Sequence, residues 1–534
     1  MADKVLRKML LRHRSSLISR TFSSCSRRCS GERLQSRLSP GQTKSAQHTN
    51  TSAQNYFSWI GKSSPCFQVK GEQVLVLTEP TQFYEILKLK TRKAKERITF
   101  ASLYLGTGHL EQVECVREAC ENARLEGNTN FQVNILLDFN RGSRGSDCNS
   151  RTMLLPLLEE YPEMVHVSLY HTPDLRGLLK RVVPERFNET IGLTHVKVYL
   201  FDDSFIVSGA NLSDSYFTNR QDRYILFNSC KQLADFFHQL VETVSTFSFQ
   251  LGSNNSISLC RDWNIHPYKD SDDGTRFKWS ARQKIQDVIS RTFQTQVNLK
   301  ENSDELSANE DSSEPDSATN SSEYDTWIYP LIQMGPLGIS HDEFVTLTLL
   351  RKAAARDVIL LSSGYFNLTD HYMHVILEES LAKYRILMAS PEVNGFFKAR
   401  GIAGYVPHVY IYIARQFYRR IVHSGQNRRL QLFEYFRDKW TFHVKGLWYY
   451  LPNNNLPSMT MIGSTNFGYR SVYRDLECQL AVVTENPQLA EQLREEHARL
   501  YQSSVPVTSD LFQRRDRHVP LWAKIVTKII KNFF

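Results

Sequence analysis

From Val69 onward, short apolar runs of strand length alternate with longer stretches whose apolar residues recur at helical spacing. Ile98–Tyr104 reads as a buried strand, Gln112–Leu125 as a helix, and Phe131–Leu137 and Met164–Tyr170 as two further strands. Asp202-Asp203-Ser204 is turn chemistry, so a strand through His195 is followed by Phe205–Val207 running back beside it. Tyr224–Phe227 is the next strand and Lys231–Phe249 an amphipathic helix. After a polar break the order returns: helix Phe344–Ala355, strands Val358–Leu361, Tyr384–Met388 and Leu430–Tyr435, a strand at His443, then Leu476–Val483 and helix Gln488–Tyr501. This duplication is weak in identity but consistent in order. It predicts an α/β protein of two similar lobes, each a mixed sheet flanked by helices.

The regions outside the repeat have a different composition. Glu301–Glu323 is Ser, Asn, Asp and Glu with almost nothing apolar, and cannot bury enough surface to offset its ordering entropy. The chain therefore divides into a leader and polar segment (1–54), a first lobe (55–298), an unstructured acidic linker (299–324), a second lobe (325–518) and a terminal helix (519–534). At 534 residues it is long enough to bury two substantial cores.

The formal charge of +9 is concentrated at the start. Arg7, Arg12, Arg14, Arg20, Arg27 and Arg28 interleave with Leu, Ile and Ser, and only Asp3 and Glu32 oppose them in the first forty residues. That is the composition of a mitochondrial import peptide. The nine cysteines fall in no zinc-like spacing, which points to reduced thiols. No apolar run approaches the length of a membrane-spanning helix. At the other end, Lys524, Lys528 and Lys531 fall on one side of a helix begun by Pro520, with Trp522, Ile525, Ile529 and Phe533 on the other. A basic amphipathic helix of this kind fits an anionic membrane surface.

The candidate chemistry is carried by a doubled motif. His195-Val196-Lys197 and His443-Val444-Lys445 each place an imidazole and an ammonium on one side of an extended segment, with a valine behind. Each is followed by a small-residue turn ending in Asn, at Ser208-Gly209-Ala210-Asn211 and Gly463-Ser464-Thr465-Asn466. An acid follows at equal spacing, Asp222 after Asn211 and Glu477 after Asn466. One such triplet arises easily by chance; two in the same order with the same companions do not.

This pattern resembles the phospholipase D superfamily, whose mark is H-x-K-x4-D followed by a G-S-x-N-like turn. His195, Lys197 and Asp202 fill the first copy. In the second, His443, Lys445, Ser464 and Asn466 match, but Tyr450 stands in the Asp slot. The resemblance implies lobes packed with pseudo-twofold symmetry and one site between them. It implies catalytic roles for His195, Lys197, Asp202, His443 and Lys445, one His attacking phosphorus, with His195 favoured, and the other moving protons. Asn211, Ser464 and Asn466 would donate to phosphate oxygens, and Asp222 and Glu477 would orient the imidazoles. No metal or cofactor is required, since the lysines supply the positive charge.

With the leader, the resemblance further implies phosphatidyl transfer from CDP-diacylglycerol to glycerol 3-phosphate, peripheral on the mitochondrial inner membrane, with no nucleic-acid partner. Extra cations for the second phosphate are expected from Arg176, Lys180, Arg181 and Arg186, or from Arg415, Arg419, Arg420, Arg428 and Arg429. The competing readings are a mitochondrial nuclease, a transferase using another acceptor such as serine, and a lipid-binding scaffold, the last prompted by Tyr450. Gly106-Thr107-Gly108 lacks the downstream residues of a nucleotide loop and reads as a strand-to-helix turn.

Overall fold

The computed structural model describes residues 52–108, 113–145, 147–308, 323–400 and 404–531. Nearly all of the leader lies outside them. The described chain opens with a helix, Ala53–Phe57, capped by the Ser52 hydroxyl, which accepts from the Asn55 N–H. Strand β1 (Phe67–Val69) follows.

Nine strands then build the first sheet: β2 (Val74–Leu77), β3 (Arg97–Ala101), β4 (Gln132–Asp138), β5 (Val165–Tyr170), β6 (Val198–Phe201), β7 (Ser204–Ser208), β9 (Tyr224–Phe227), β10 (Phe249–Leu251) and β11 (Ile257–Leu259). Between β7 and β9 lies the two-residue strand β8 (Arg220–Gln221). The sheet order is β11-β10-β5-β4-β3-β6-β7-β9-β2. β3, β4 and β5 are parallel, and β6, β7 and β9 continue antiparallel. The second sheet uses β12 (Thr326–Met334), β13 (Ile339–Ser340), β14 (Val358–Ser363), β15 (Lys383–Ala389), β16 (Leu430–Tyr435), β18 (Lys445–Tyr450), β19 (Met459–Gly463), β20 (Leu476–Thr484) and β21 (Ser504–Pro506), with β17 (Thr441–Phe442) outside it. Its order, β12-β20-β19-β18-β14-β15-β16-β21, is that of the first sheet from β2 to β10, with the same senses of pairing. The duplication read from the pattern is thus a duplication of topology.

β6, β7, β9, β12 and β20 are buried along their whole length, which explains why they read as unbroken apolar runs rather than alternating ones. One face of each sheet meets the other in a shared apolar layer, Val198, Val207 and Ile225 against Ile462, Leu480 and Val482. Helix Lys231–Thr246 adds Leu233, Phe237, Leu240 and Val244 to this layer.

Two boundaries differ from expectation. Ala53, Phe57 and Ile60 pack into the core of the second lobe, and β1 pairs with β12, so the start of the predicted first lobe belongs to the second sheet. The predicted linker also begins late, because helix Thr275–Ala308 runs on into its first ten residues. Leu, Lys, Glu and Ala within that stretch are good helix formers, and each added residue costs a growing helix little. Residues 309–322 lie outside the described chain. Helix Leu521–Ile530 begins at Pro520, as predicted.

Across the lobe boundary, Arg223 makes two parallel bonds to Glu496 (Nε to Oε1 and Nη2 to Oε2, both 2.8 Å) and donates to the Met461 carbonyl and the Thr460 hydroxyl. Trp448 stacks 4.0 Å from the guanidinium and donates its indole N–H to Glu496. Every charge here is paired, and nearly all solvent is excluded. Glu496→Ala strands the guanidinium in the core and should cost about 3–5 kcal/mol. Chemical denaturation should show that loss, and the double substitution Arg223→Met, Glu496→Leu should recover most of it.

Candidate active site

His195 and Lys197 lie in the extended segment just ahead of β6, and Lys445 opens β18 two residues after His443. The intervening Val196 and Val444 turn into the core. Each segment is tied to the opposite lobe. The His195 N–H donates to the Leu476 carbonyl, and the His443 N–H to the Gln221 carbonyl, both at 2.8 Å. Leu476 precedes Glu477 and Gln221 precedes Asp222, so the two contacts are the same contact exchanged between halves. Such reciprocity is the signature of a twofold arrangement. β8 and β17 pair across the boundary at this point.

The side chains repeat the exchange. His195 Nδ1 lies 3.0 Å from Glu477 Oε2, and His443 Nδ1 lies 2.6 Å from Asp222 Oδ2. An ionised carboxylate only accepts, so Glu477 holds the His195 proton on Nδ1 and leaves Nε2 as its reacting nitrogen, while His443 Nδ1 meets both Asp222 and Lys445 Nζ (2.7 Å). Lys197 donates to the His195 carbonyl (2.9 Å), and Lys445 to the His443 carbonyl (2.5 Å), with its Nζ 3.6 Å from Asp222 Oδ2.

Burial dominates the electrostatics of this cluster. Both imidazoles are pushed well below their ordinary pKa, by burial first and then by the charges of Lys197 and Lys445, so both are neutral at pH 7. Burial also lowers Lys197 to about 7 and Lys445 to about 8 and raises Asp222 to about 6, while the facing opposite charges resist these shifts. Glu477 is raised by burial as well, with Lys197 opposing.

The structure therefore brings together His195, Lys197, Asp222, His443, Lys445 and Glu477, with Asn211 beside them. Asn211 donates to the Tyr216 phenol (3.1 Å), and the Oδ1 atoms of Asn211 and Asn466 are buried without a partner among the described residues. Ser464 was expected to donate to substrate. Its hydroxyl instead exchanges bonds with the Cys478 backbone (3.3 and 3.4 Å), latching the turn to β20. In the first lobe Gly209 takes its position, where a Cβ would come within 2.7 Å of the Asp222 carboxylate.

Asp202 was expected at the catalytic centre and is not there. It sits beyond the far end of β6 in a left-handed turn (φ 51°). Its carboxylate accepts the N–H groups of Lys95, Glu96 and Arg97 at 2.7–3.1 Å, which holds the loop that enters β3. The expected basic runs are also engaged elsewhere. Arg176 reaches the Asp270 carbonyl, Lys180 the His171 ring and Arg429 the carbonyls of Ile376 and Ala382, while Arg419, Arg420 and Arg428 are exposed. Gly106 donates to the Leu212 carbonyl, which places the 106–108 turn against the chain leaving Asn211.

Sequence reasoning missed four residues here. Tyr216 and Tyr365 stand edge-on to the His443 ring, at 5.2 and 5.5 Å between centroids. Arg220 and Arg470 place their charges on His443 and His195 respectively. The only local signal was the position of Arg220, two residues before Asp222.

Paired lobes of this topology make a phospholipase D-like fold. The solved structure of phosphatidylserine synthase from Haemophilus influenzae Rd KW20 has this fold, superposing with a TM-score of 0.64 over 90% of this chain and 100% of that one, at 18% identity. No protein-family profile matches the chain. Among curated proteins, the mitochondrial CDP-diacylglycerol–glycerol-3-phosphate 3-phosphatidyltransferase of Gallus gallus is 52% identical over 487 residues, 90% of this chain and 86% of that protein. Its Homo sapiens counterpart is 51% identical over 484 residues, with the same coverage. The Saccharomyces cerevisiae enzyme is 33% identical over 508 residues, 89% of this chain and 92% of its own. The chain belongs to the CDP-diacylglycerol–glycerol-3-phosphate 3-phosphatidyltransferase family.

Two expectations follow from this geometry. Asp202→Ala should lower stability by about 1–3 kcal/mol, through the N–H groups it leaves unpaired, with kcat within a few-fold of wild type. Asp222→Asn should cut kcat by about a hundredfold or more, and thermal melts alongside turnover separate the two effects. In addition, kcat/KM should fall as pH rises through about 7 to 8, as Lys197 and Lys445 lose their charge. Both lysines titrate below their unfolded value of 10.5. The unfolded chain therefore holds more protons above pH 7, and these groups add stability over the range in which activity declines.

Proposed function

We propose that the chain transfers a phosphatidyl group from CDP-diacylglycerol to glycerol 3-phosphate through an intermediate on His195, in the route to phosphatidylglycerol and cardiolipin. The observation that carries this reading is the pair of neutral imidazoles, each with Nδ1 held by the other lobe's carboxylate. His195 Nε2 attacks the phosphatidyl phosphorus, and the bond to CMP breaks with its electron pair leaving on the CMP oxygen. A phosphomonoester has its second pKa near 6, so CMP departs without a proton donor. Neutral His443 is then ready as a base. Its Nε2 takes the proton of the glycerol 3-phosphate hydroxyl as that oxygen attacks phosphorus, and the P–N bond electrons return to His195. Lys197 and Lys445 offset the charge that develops on the non-bridging oxygens.

The relatives named above as mitochondrial support the same compartment for this chain, and the leader is read as its import peptide. Helix Leu521–Ile530 supports a role at the membrane surface. It packs on the second lobe through Ala523 and Thr527 and leaves Leu521, Trp522 and Ile525 exposed, with Trp522 against exposed Tyr405 (4.7 Å). An apolar stripe turned outward beside lysines suits an anionic bilayer. Among the described residues no helix is long and apolar enough to cross a membrane.

Purified protein should release CMP from CDP-diacylglycerol in proportion to added glycerol 3-phosphate, and should exchange labelled CMP into CDP-diacylglycerol without acceptor. His195→Ala and His443→Ala should each abolish net transfer; near-normal turnover by either would sink the mechanism. Trp522→Ala with Ile525→Asp should reduce co-sedimentation with anionic vesicles several-fold.

A further inference from the structure

Arg220 is a cation of the site cluster that touches no carboxylate among the described residues, although its charge is felt by Asp222. Among the described residues, Lys445 has Asp222 at 3.6 Å, Arg470 has Asp475 at 3.2 Å, and Lys197 faces Glu477. Among those residues neither Arg220 nor Lys197 has a carboxylate within ion-pair distance, and the Arg220 Nε is buried and unpartnered. Its neighbours are phenols. Nη1 donates to the Tyr216 hydroxyl (3.1 Å), and the guanidinium lies 4.5 Å from the centre of that ring. Burial raises the phenols of Tyr216 and Tyr365 above their ordinary pKa, so both are neutral at pH 7 and neither offsets the charge.

The position of Arg220 is as telling as its missing partner. It lies in β8, paired with Thr441 of β17, two residues ahead of His443. The Tyr216 hydroxyl it binds lies 3.4 Å from His443 Nε2. Arg220 thus stands one side chain outward from the nitrogen that serves as base. A half-buried guanidinium whose Nε is buried and unpartnered, with no carboxylate in contact, is well placed to receive an anion. Its planar donors suit phosphate better than any other biological anion of this size.

We propose that Arg220 binds the phosphomonoester of the acceptor alcohol and thereby selects a phosphorylated acceptor over a neutral one. The inference rests on the reaction proposed above, with His443 on the acceptor side. The acceptor's hydroxyl meets His443 Nε2 while its phosphate, at the other end of the three-carbon chain, fills the place of the missing carboxylate. The other phosphate that could occupy this position is that of the departing CMP.

The test uses the full chain in mixed micelles with CDP-diacylglycerol, as wild type, Arg220→Gln and Arg220→Lys. For Arg220→Gln, KM for glycerol 3-phosphate should rise about tenfold to a hundredfold. The kcat/KM preference for glycerol 3-phosphate over glycerol should shrink by the same factor, and Arg220→Lys should recover part of it. Exchange of labelled CMP into CDP-diacylglycerol, measured without acceptor, should fall far less. Equal loss of exchange and transfer would assign Arg220 to the CMP phosphate and overturn the proposal, as would an unchanged KM. Calorimetric binding of glycerol 3-phosphate to His195→Ala, with and without Arg220→Gln, tests the contact independently of turnover. Weakened binding supports it even if the assigned reaction fails, and equal binding overturns it.

Discussion

The two hydrogen bonds exchanged between the lobes, His195 to Glu477 and His443 to Asp222, are the contacts the rest of the fold is arranged to hold. Each joins an imidazole (His443 buried, His195 half-buried) to a buried carboxylate, and each carboxylate would lose that partner if the lobes parted. Neither half can orient its own histidine. The shared apolar layer and the Arg223–Glu496 clamp set the distance at which the crossed pairs form. Arg223 follows Asp222 directly in the chain, so the clamp and the His443 contact are held by adjacent residues. Preorganisation of the site is thus a property of the lobe interface rather than of either sheet.

The duplicated scaffold has diverged where chemistry does not constrain it. In the first lobe Asp202 gathers the N–H groups of the loop entering β3. In the second lobe the matching loop, ahead of β14, is served by Asp357 from within it, which accepts from the Ala354 N–H (2.7 Å) and from the phenols of Tyr449 and Tyr56. The slot at Tyr450 is thereby released, and its phenol turns to His497. A missing aspartate that read as possible decay of the second site is a relocation of loop support.

Much of the fold was legible because both sheets are covered on two faces, which writes their strands as apolar runs of recognisable length. The repeat of those runs carried the topology, and the spacing of His, Lys, Asn and acid carried the central cluster. What escaped notice depends on contacts distant in sequence. Arg220 and Tyr216 meet His443 because β8 pairs with β17 across the boundary, and Tyr365 because β14 pairs with β18. Asp202 was misplaced because a motif records which residues recur, not how far apart a strand sets them. Seven residues of extended chain separate it from His195, on the order of 20 Å. Ser464 shows another limit, since a hydroxyl in a tight turn has backbone partners that the sequence does not display.

The pairing of β1 with β12 has a consequence for how the molecule is assembled. A chain synthesised from its amino end presents Ala53–Val69 more than two hundred and fifty residues before Thr326–Met334 emerges. Until then that segment has neither its strand partner nor the pocket that receives Phe57 and Ile60. Closing so long a loop adds little to the equilibrium cost, which grows only with the logarithm of its length, but it delays completion until the second sheet exists. The leading segment thus waits for a strand made much later before its edge of the sheet is closed. Any holdase that shields exposed apolar segments during this interval would find its target at the amino-terminal edge.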